Sequence, residues 1–503
     1  MTCRPAIALL AASLLLSVTG CVMEPQPYAY RTYPPQNPAP QPSPGMPPQP
    51  SQERPEVLSR GPVHEAFAQP VAAQDQPDMV VTAQPPPNIV ETPPADRPEG
   101  GACFWAPGYW SWDAERITFI WVSGCWRMPP PRMTWVPGYW TRVPAGWQWV
   151  PGFWSPATAQ EIAYLPAPPE VTDFQPPGPP PAADEFWVPG CWYWHQERYV
   201  FRAGYWLRQQ PGWMWFPSHC AWTPRGYVFV EGHWDYALER RGVLFAPVCF
   251  PGRISAGIRF SFSPSITVDV GVLSASLFAC PRYAHYYFGD YYDDAYARIG
   301  IYPWFDCVRI GTWYDPVFVY SRWDHCRTDP RWEERERHAF TLRHDHMDLR
   351  PPRTYREQEA RVAHLPDPER REHQMTRPLS TVVATPTPFV TFEHMNADVR
   401  QKIAQQSQES HNFRDARSRW EATPAPAPPA APIQPPVLNT RPASRTMSAR
   451  PPRDAVPTLP QPDRVQLPSS YAGGQTATSR SGDRTTPDRS PNEYRHDRSR
   501  DDR

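Results

Sequence analysis

The sequence predicts a mainly β protein. The expected architecture is an antiparallel meander of short aromatic-rich repeat strands, with C-terminal helices and long disordered flanks. Three observations predict it. A six-residue pattern, seen as WVPGYW at 135–140 and WVPGFW at 149–154, recurs along the middle of the chain. Its surroundings, as in ERYVFRAGYW and GYVFVEGHW, are rich in the aromatic and β-branched residues that favour strands. The two ends are dominated by Pro, Gln, Ala or mixed charge and hold few large apolar side chains.

The chain opens with Arg4 and a short apolar run, Ala6 to Ser17. A membrane-spanning helix needs roughly 20 residues, so this run reads as a secretory signal over 1–20. It ends Val18-Thr19-Gly20-Cys21, which resembles a bacterial lipobox with cleavage before Cys21 and lipid on its thiol. Several acyl chains on one residue give lasting attachment where a single chain is marginal. Val22 follows in place of the Asp that resembles an inner-membrane retention signal, so the outer membrane is the expected location. Residues 21–101 read as a Pro-rich disordered spacer, because Pro lacks an amide donor and fixes its backbone angle.

The repeats read WAPGYW (105–110), WVSGCW (121–126), WVPGYW (135–140), WVPGFW (149–154), WVPGCW (187–192), FRAGYW (201–206), WFPSHCAW (215–222) and FVEGHW (229–234). Their central positions are 108, 124, 138 and 152, then 190, 204, 218 and 232. Seven are Gly, and Ser218 takes the place in the seventh unit, which reads as carrying two extra residues before Trp222. Gly and Pro in each neighbourhood exclude helix, and a period near 14 fits one strand plus one short link. The first set is placed at 102–155 and the second at 186–235, with a Pro-rich link at 156–185. Within a unit both faces carry aromatic rings, and the Gly leaves a gap over which a ring from a neighbouring strand can lie.

These units resemble the WXXGXW or YXWGXW repeat of bacterial envelope proteins. The resemblance covers residues 104 to 234. It implies export and a repeat architecture, and supplies no reaction and no catalytic residues.

Eighteen of the 23 tryptophans lie between 105 and 234. They are expected either to fill a thin core or to stand in solvent as a platform for sugar rings. The stripe at issue is Trp110, Trp126, Trp140, Trp154, Trp192, Trp206 and Trp234. Cys103, Cys125, Cys191, Cys220, Cys249, Cys280, Cys307 and Cys326 all fall in the middle of an exported chain, which suggests disulfides.

Residues 236–330 read as a β-rich extension that covers a free edge of the meander. Asp290, Asp293, Asp294 and Asp306 lack the spacing of a calcium loop, and read as helix caps. The region 331–420 reads as charged helix, one starting near Asn396, and 421–503 as a disordered tail. His338, His344 and His346 are not spaced for one helical face, so no metal and no cofactor is expected. A formal charge of −1 argues against nucleic acid as a partner. The leading functional expectation is a non-enzymatic, lipid-anchored envelope protein with a structural or assembly role. A carbohydrate- or peptidoglycan-binding module and an envelope hydrolase are the alternatives. The expected partners are the membrane through Cys21 and an envelope polysaccharide, peptidoglycan or another envelope protein.

Overall fold

The computed structural model describes residues 55–73, 79–171, 174–250, 261–366, 369–370, 373–385 and 387–423. The signal peptide, Cys21, the spacer up to residue 54 and the tail from 424 lie outside the described residues.

Two consecutive repeat units form one long antiparallel hairpin, and there are four of them. In the first, Phe104–Ala106 pairs with Cys125–Arg127, and Tyr109–Asp113 pairs with Thr118–Val122. The second joins Met133–Val136 to Phe153–Pro156 and Tyr139–Val143 to Gly146–Val150. The third and fourth repeat this plan at 185–208 and 213–236. In every hairpin the ladder opens at the Pro-Gly, Ser-Gly or equivalent step, on both strands at the same level. The register carries through without a slip. A Pro in the step has no amide to give, so the cross-strand bonds there cannot close.

That register explains the motif. The opening ring of one unit lies opposite the closing residue of the other: Trp105↔Trp126, Trp110↔Trp121, Trp135↔Trp154, Trp140↔Trp149, Trp187↔Trp206, Trp192↔Phe201 and Trp215↔Trp234. Their ring centroids lie 4.9 to 5.6 Å apart, tilted or edge to face. Such pairs contribute about 0.5–1.5 kcal/mol each beyond their buried area. The opening ring also covers the Gly of the opposite strand. A Cβ on Gly152 would stand 2.4 Å from Trp135, one on Gly124 2.5 Å from Trp105, and one on Gly204 2.2 Å from Trp187. The seventh unit contains no insertion, contrary to the sequence reading. Cys220 pairs with Phe229 and so occupies the closing-ring position, while Trp222 lies two residues further along the same strand.

The segment expected to be a spacer is part of the fold from residue 55. It contributes six short strands: Glu56–Val57, Gly61–Pro62, Val71–Ala72, Val80–Val81, Val90–Glu91 and Asp96–Pro98. Each pairs with a distant strand, among them Trp147–Gln148 of the second hairpin and Tyr287–Phe288. Extended Pro-rich chain is already in strand-like geometry, so two free amides between prolines suffice for a bridge. Between Pro62 and Pro70, residues Val63 to Ala68 are at most 4% exposed.

Residues 242–249 cover the outer edge of the first hairpin, as expected, through Val243↔Trp126 and Val248↔Trp121. The rest of the extension mixes strands with helix, including Pro316–Cys326 capped by Asp315. Helices follow at Trp332–Asp345, Tyr355–Val362, Leu379–Ala384 and Ala397–Glu421. Asn396 caps the last of these by accepting the Val399 amide.

None of the eight cysteines is in a disulfide, and no pair lies at disulfide distance. This corrects the expectation for Cys103, Cys125, Cys191, Cys220, Cys249, Cys280, Cys307 and Cys326. Three of them, Cys125, Cys191 and Cys220, fall within repeat units and stand in for rings. Cys125 and Cys191 follow the motif Gly where Tyr109, Tyr139, Phe153 and Tyr205 stand in other units, and Cys220 replaces a closing Trp. Burial pushes the Cys103 and Cys191 thiols up to about 12.

Candidate functional site

Where the ladders open, backbone donors and acceptors are left buried, and each needs a partner. The N-terminal segment supplies acceptors. Glu65 takes the amides of Gly138 and Gly152 at 2.8 and 3.0 Å, one on each carboxylate oxygen. Glu91 takes those of Gly108 and Gly124 at 3.0 Å, and the Trp121 indole N–H at 3.1 Å. In the fourth hairpin Ser218 does this from within, its hydroxyl accepting the Gly232 amide at 2.9 Å. The odd residue of the seventh unit is thus a built-in acceptor.

The C-terminal helix supplies donors. Arg414 donates to the carbonyls of Pro107 and Gly108, and Arg417 to that of Pro137. Arg417 is held by Glu421 at 2.7 Å, and Glu421 also accepts the Tyr139 and Tyr164 hydroxyls. The helix therefore buries a polar face: Ser407, Ser410, His411, Arg414, Arg417 and Glu421 lie on one side of it, linked by three- and four-residue spacings, and are at most 6% exposed. A second set of arginines fixes the turn that carries Glu65. Arg127 and Arg241 share Asp235, and donate to the carbonyls of Ala66 and Phe67 at 2.7 Å.

Histidines complete the junction in neutral form. His285 Nδ1 donates to the Tyr283 carbonyl, so Nε2 accepts the Tyr109 hydroxyl at 2.7 Å, and that oxygen accepts the Glu65 amide. The Ala66 amide donates to His64 Nδ1, leaving Nε2 to donate to the Pro107 carbonyl. Burial lowers His64 to about 3 and His285 to about 4, and burial with Arg414 lowers His411 to about 3. Burial raises Glu65, and raises Glu91 to about 7 against the pull of its glycine amides. Glu65 is 1% and Glu91 3% exposed, so no substrate reaches either carboxylate in this conformation.

The aromatic stripe does not stand in solvent. Trp110, Trp126 and Trp154 are buried, and Trp140, Trp192, Trp206 and Trp234 are half-buried. Each is paired with the opposing ring of its own hairpin rather than aligned with its equivalents. Indole N–H groups find backbone acceptors at Trp110, Trp140 and Trp192, through Pro87, Trp110 and Glu170. Those of Trp105, Trp126, Trp149, Trp187 and Trp215 have no hydrogen-bond partner among the described residues, and all five rings belong to the cross-strand pairs. Beside the third and fourth hairpins lies a cleft of about 160 Å3, lined by Glu170, Cys191, Trp192, His219, Cys220 and Tyr227 among others.

The acidic cluster takes structural roles. Asp293 caps Asp294–Arg298, Asp290 pairs with Arg353 at 2.8 Å, and Asp306 with Arg309 and Arg337. His344 meets Asp294 and Asp345, and no metal-binding group of three or more ligands occurs among the described residues. No described helix is long and apolar enough to cross a membrane.

The sequence reading missed Glu65, Glu91, Arg414 and Arg417. The available signal was the Pro-free island VHEAFAQ at 63–69 and the short apolar stretch NIVE at 88–91 in an otherwise Pro-rich segment.

No curated protein and no solved structure matches the chain. A family profile described as "WXXGXW repeat (2 copies)" matches residues 104–127, 133–154, 186–206 and 211–235. Each matched stretch coincides with one of the four hairpins, so the two copies of the repeat are the two strands of a single folded unit, and this chain carries that repeat.

Proposed function

We propose that the chain is a non-enzymatic, lipid-anchored envelope protein with a structural or assembly role, attached through Cys21. The observation that carries this reading is the junction itself. The repeat rings face one another, and the glycine amides of the first two hairpins are taken by Glu65 and Glu91 from the same chain. The repeats thus serve as a scaffold that holds the segments before and after them. A hydrolase needs a pair of carboxylates open to substrate, whereas Glu65 and Glu91 are sealed. Metabolic labelling with a fatty acid and envelope fractionation test the anchor. The intact chain is expected to be labelled and to sediment with outer membranes, and Cys21→Ala to lose both. An unlabelled, soluble wild type overturns the reading.

A carbohydrate- or peptidoglycan-binding role is the second reading. It is favoured by the cleft beside the third and fourth hairpins, where Trp192 is half-buried. Co-sedimentation with purified peptidoglycan that Trp192→Ala abolishes would support it.

A further inference from the structure

In three of the four hairpins the strand after the tight turn carries another segment on its outer edge. Val248 pairs with Trp121, Val80 and Val81 pair with Gln148 and Trp147, and Leu165 pairs with Tyr227. In the third hairpin the equivalent strand, Arg198–Arg202, pairs only with Cys191–His195 among the described residues.

The turn determines which backbone groups are left over. Gln196 and Glu197 both have positive φ, 48° and 60°, and form a two-residue hairpin turn between His195 and Arg198. That turn makes His195 and Arg198 a hydrogen-bonded pair. By alternation Val200 and Arg202 also bond inward, and the amides and carbonyls of Tyr199 and Phe201 point out. Tyr227 is the equivalent of Tyr199 in the fourth hairpin. It uses these outward groups on Leu165, at 2.7 and 2.8 Å.

We propose that the Arg198–Arg202 edge is a docking site for an extended, acidic segment of a partner protein, added as a third strand. Three features define that partner. Main-chain pairing asks only for an extended peptide. The segments on the equivalent edges present Val or Leu, so aliphatic side chains fit the level of the rings. Arg198 and Arg202 are exposed at the two ends of the edge, and Arg202 is steadied over the Tyr205 ring at 4.7 Å. Carboxylates flanking the aliphatic residues match that charge. A second copy of the same edge does not, because antiparallel self-pairing would set Arg198 against Arg202. The inference stands on the hairpin alone and does not require the lipid anchor.

Fluorescence anisotropy of the full chain with a labelled synthetic peptide, Asp-Val-Thr-Val-Thr-Asp, tests it. Saturable binding is expected. Replacing both Asp by Lys, or N-methylating the amides that face the edge, is expected to weaken it at least about tenfold. The doubly substituted Arg198→Glu, Arg202→Glu protein changes only exposed side chains, so its melting should match wild type while its binding falls to the same extent. Tyr199→Pro removes one outward amide and should lose binding too; Tyr199→Phe, which keeps the amide and the ring against Trp194 but loses the hydroxyl bond to Pro166, should keep it. Absence of saturable binding at millimolar peptide overturns the proposal, as does equal binding of the N-methylated peptide. A concentration-dependent dimer that Tyr199→Pro abolishes assigns the edge to a second copy and also overturns it.

Discussion

The Glu65 carboxylate accepts the Gly138 amide at 2.8 Å across 73 residues of chain. Its other oxygen takes Gly152, the partner glycine of the same hairpin. One side chain from before the repeats therefore closes a gap that two repeat units leave open. Removing it strands two buried donors, each costing about 1–3 kcal/mol. Glu65→Ala is expected to lower unfolding free energy by roughly 2–5 kcal/mol. Glu65→Gln keeps one acceptor and needs no buried charge, so its loss should be smaller. Urea titrations of the two variants check both the size and the order.

The motif glycines are held by rings. Gly152→Ala would set a Cβ 2.4 Å from Trp135, and Gly178→Ala would meet nothing within 4 Å. The first is expected to cost about 1–3 kcal/mol or more by overpacking, the second to stay within about 0.5 kcal/mol of wild type. Equal melting temperatures for the two would contradict the ring-over-glycine account.

The junction also sets a pH dependence. His64, His285 and His411 are lowered from 6.5 to about 3, 4 and 3. Their contribution is fully present above pH 6.5 and is lost as pH falls towards the folded values. Glu65, Glu91 and Asp315 are raised, the last two to about 7, so their contribution has the opposite sign and grows as pH falls towards the unfolded carboxylate range. The two sets oppose one another between pH 6.5 and that range. Below about pH 4 these acids are largely protonated in both states and His285 is charged in both, so His64 and His411 are the members of the two sets that still act. Their part of the stability is then expected to fall by up to about 3 kcal/mol per pH unit. Denaturation midpoints measured from pH 7 to 3 should show a shallow upper limb and a steep lower one.

The third hairpin carries a local strain that is removable. Glu197 sits at φ 60° in a turn that prefers Gly at its second position. Glu197→Gly is expected to stabilise the chain by roughly 1 kcal/mol, read as a higher melting temperature with unchanged cooperativity.

The repeat hairpins were legible because ring, Gly and Pro recur in a fixed period, and the ring-over-glycine contact follows from the pleat. The cysteine reading failed for a related reason. Cys125, Cys191 and Cys220 recur with the repeat because they fill ring positions, and periodicity alone does not separate that from bridging. Glu65 and Glu91 were hidden in a segment whose composition signals hydration, where short apolar islands such as those at 63–69 and 89–91 depart from it. The face of Ala397–Glu421 was hidden differently. A stripe of Ser, His, Arg and Glu reads as solvated, and it is buried only because opened ladders offer it carbonyls. No local pattern in the helix reports those distant acceptors.

The central claim is that the segments before and after the repeats are structural parts of them. Amide hydrogen exchange resolved by residue tests this most directly. The account predicts that Val63 to Ala68 exchange as slowly as the hairpin strands, and that the amides of Gly108, Gly124, Gly138 and Gly152 are protected with them. Exchange of 63–68 at the rate of unstructured peptide, with those four glycines open, would contradict it.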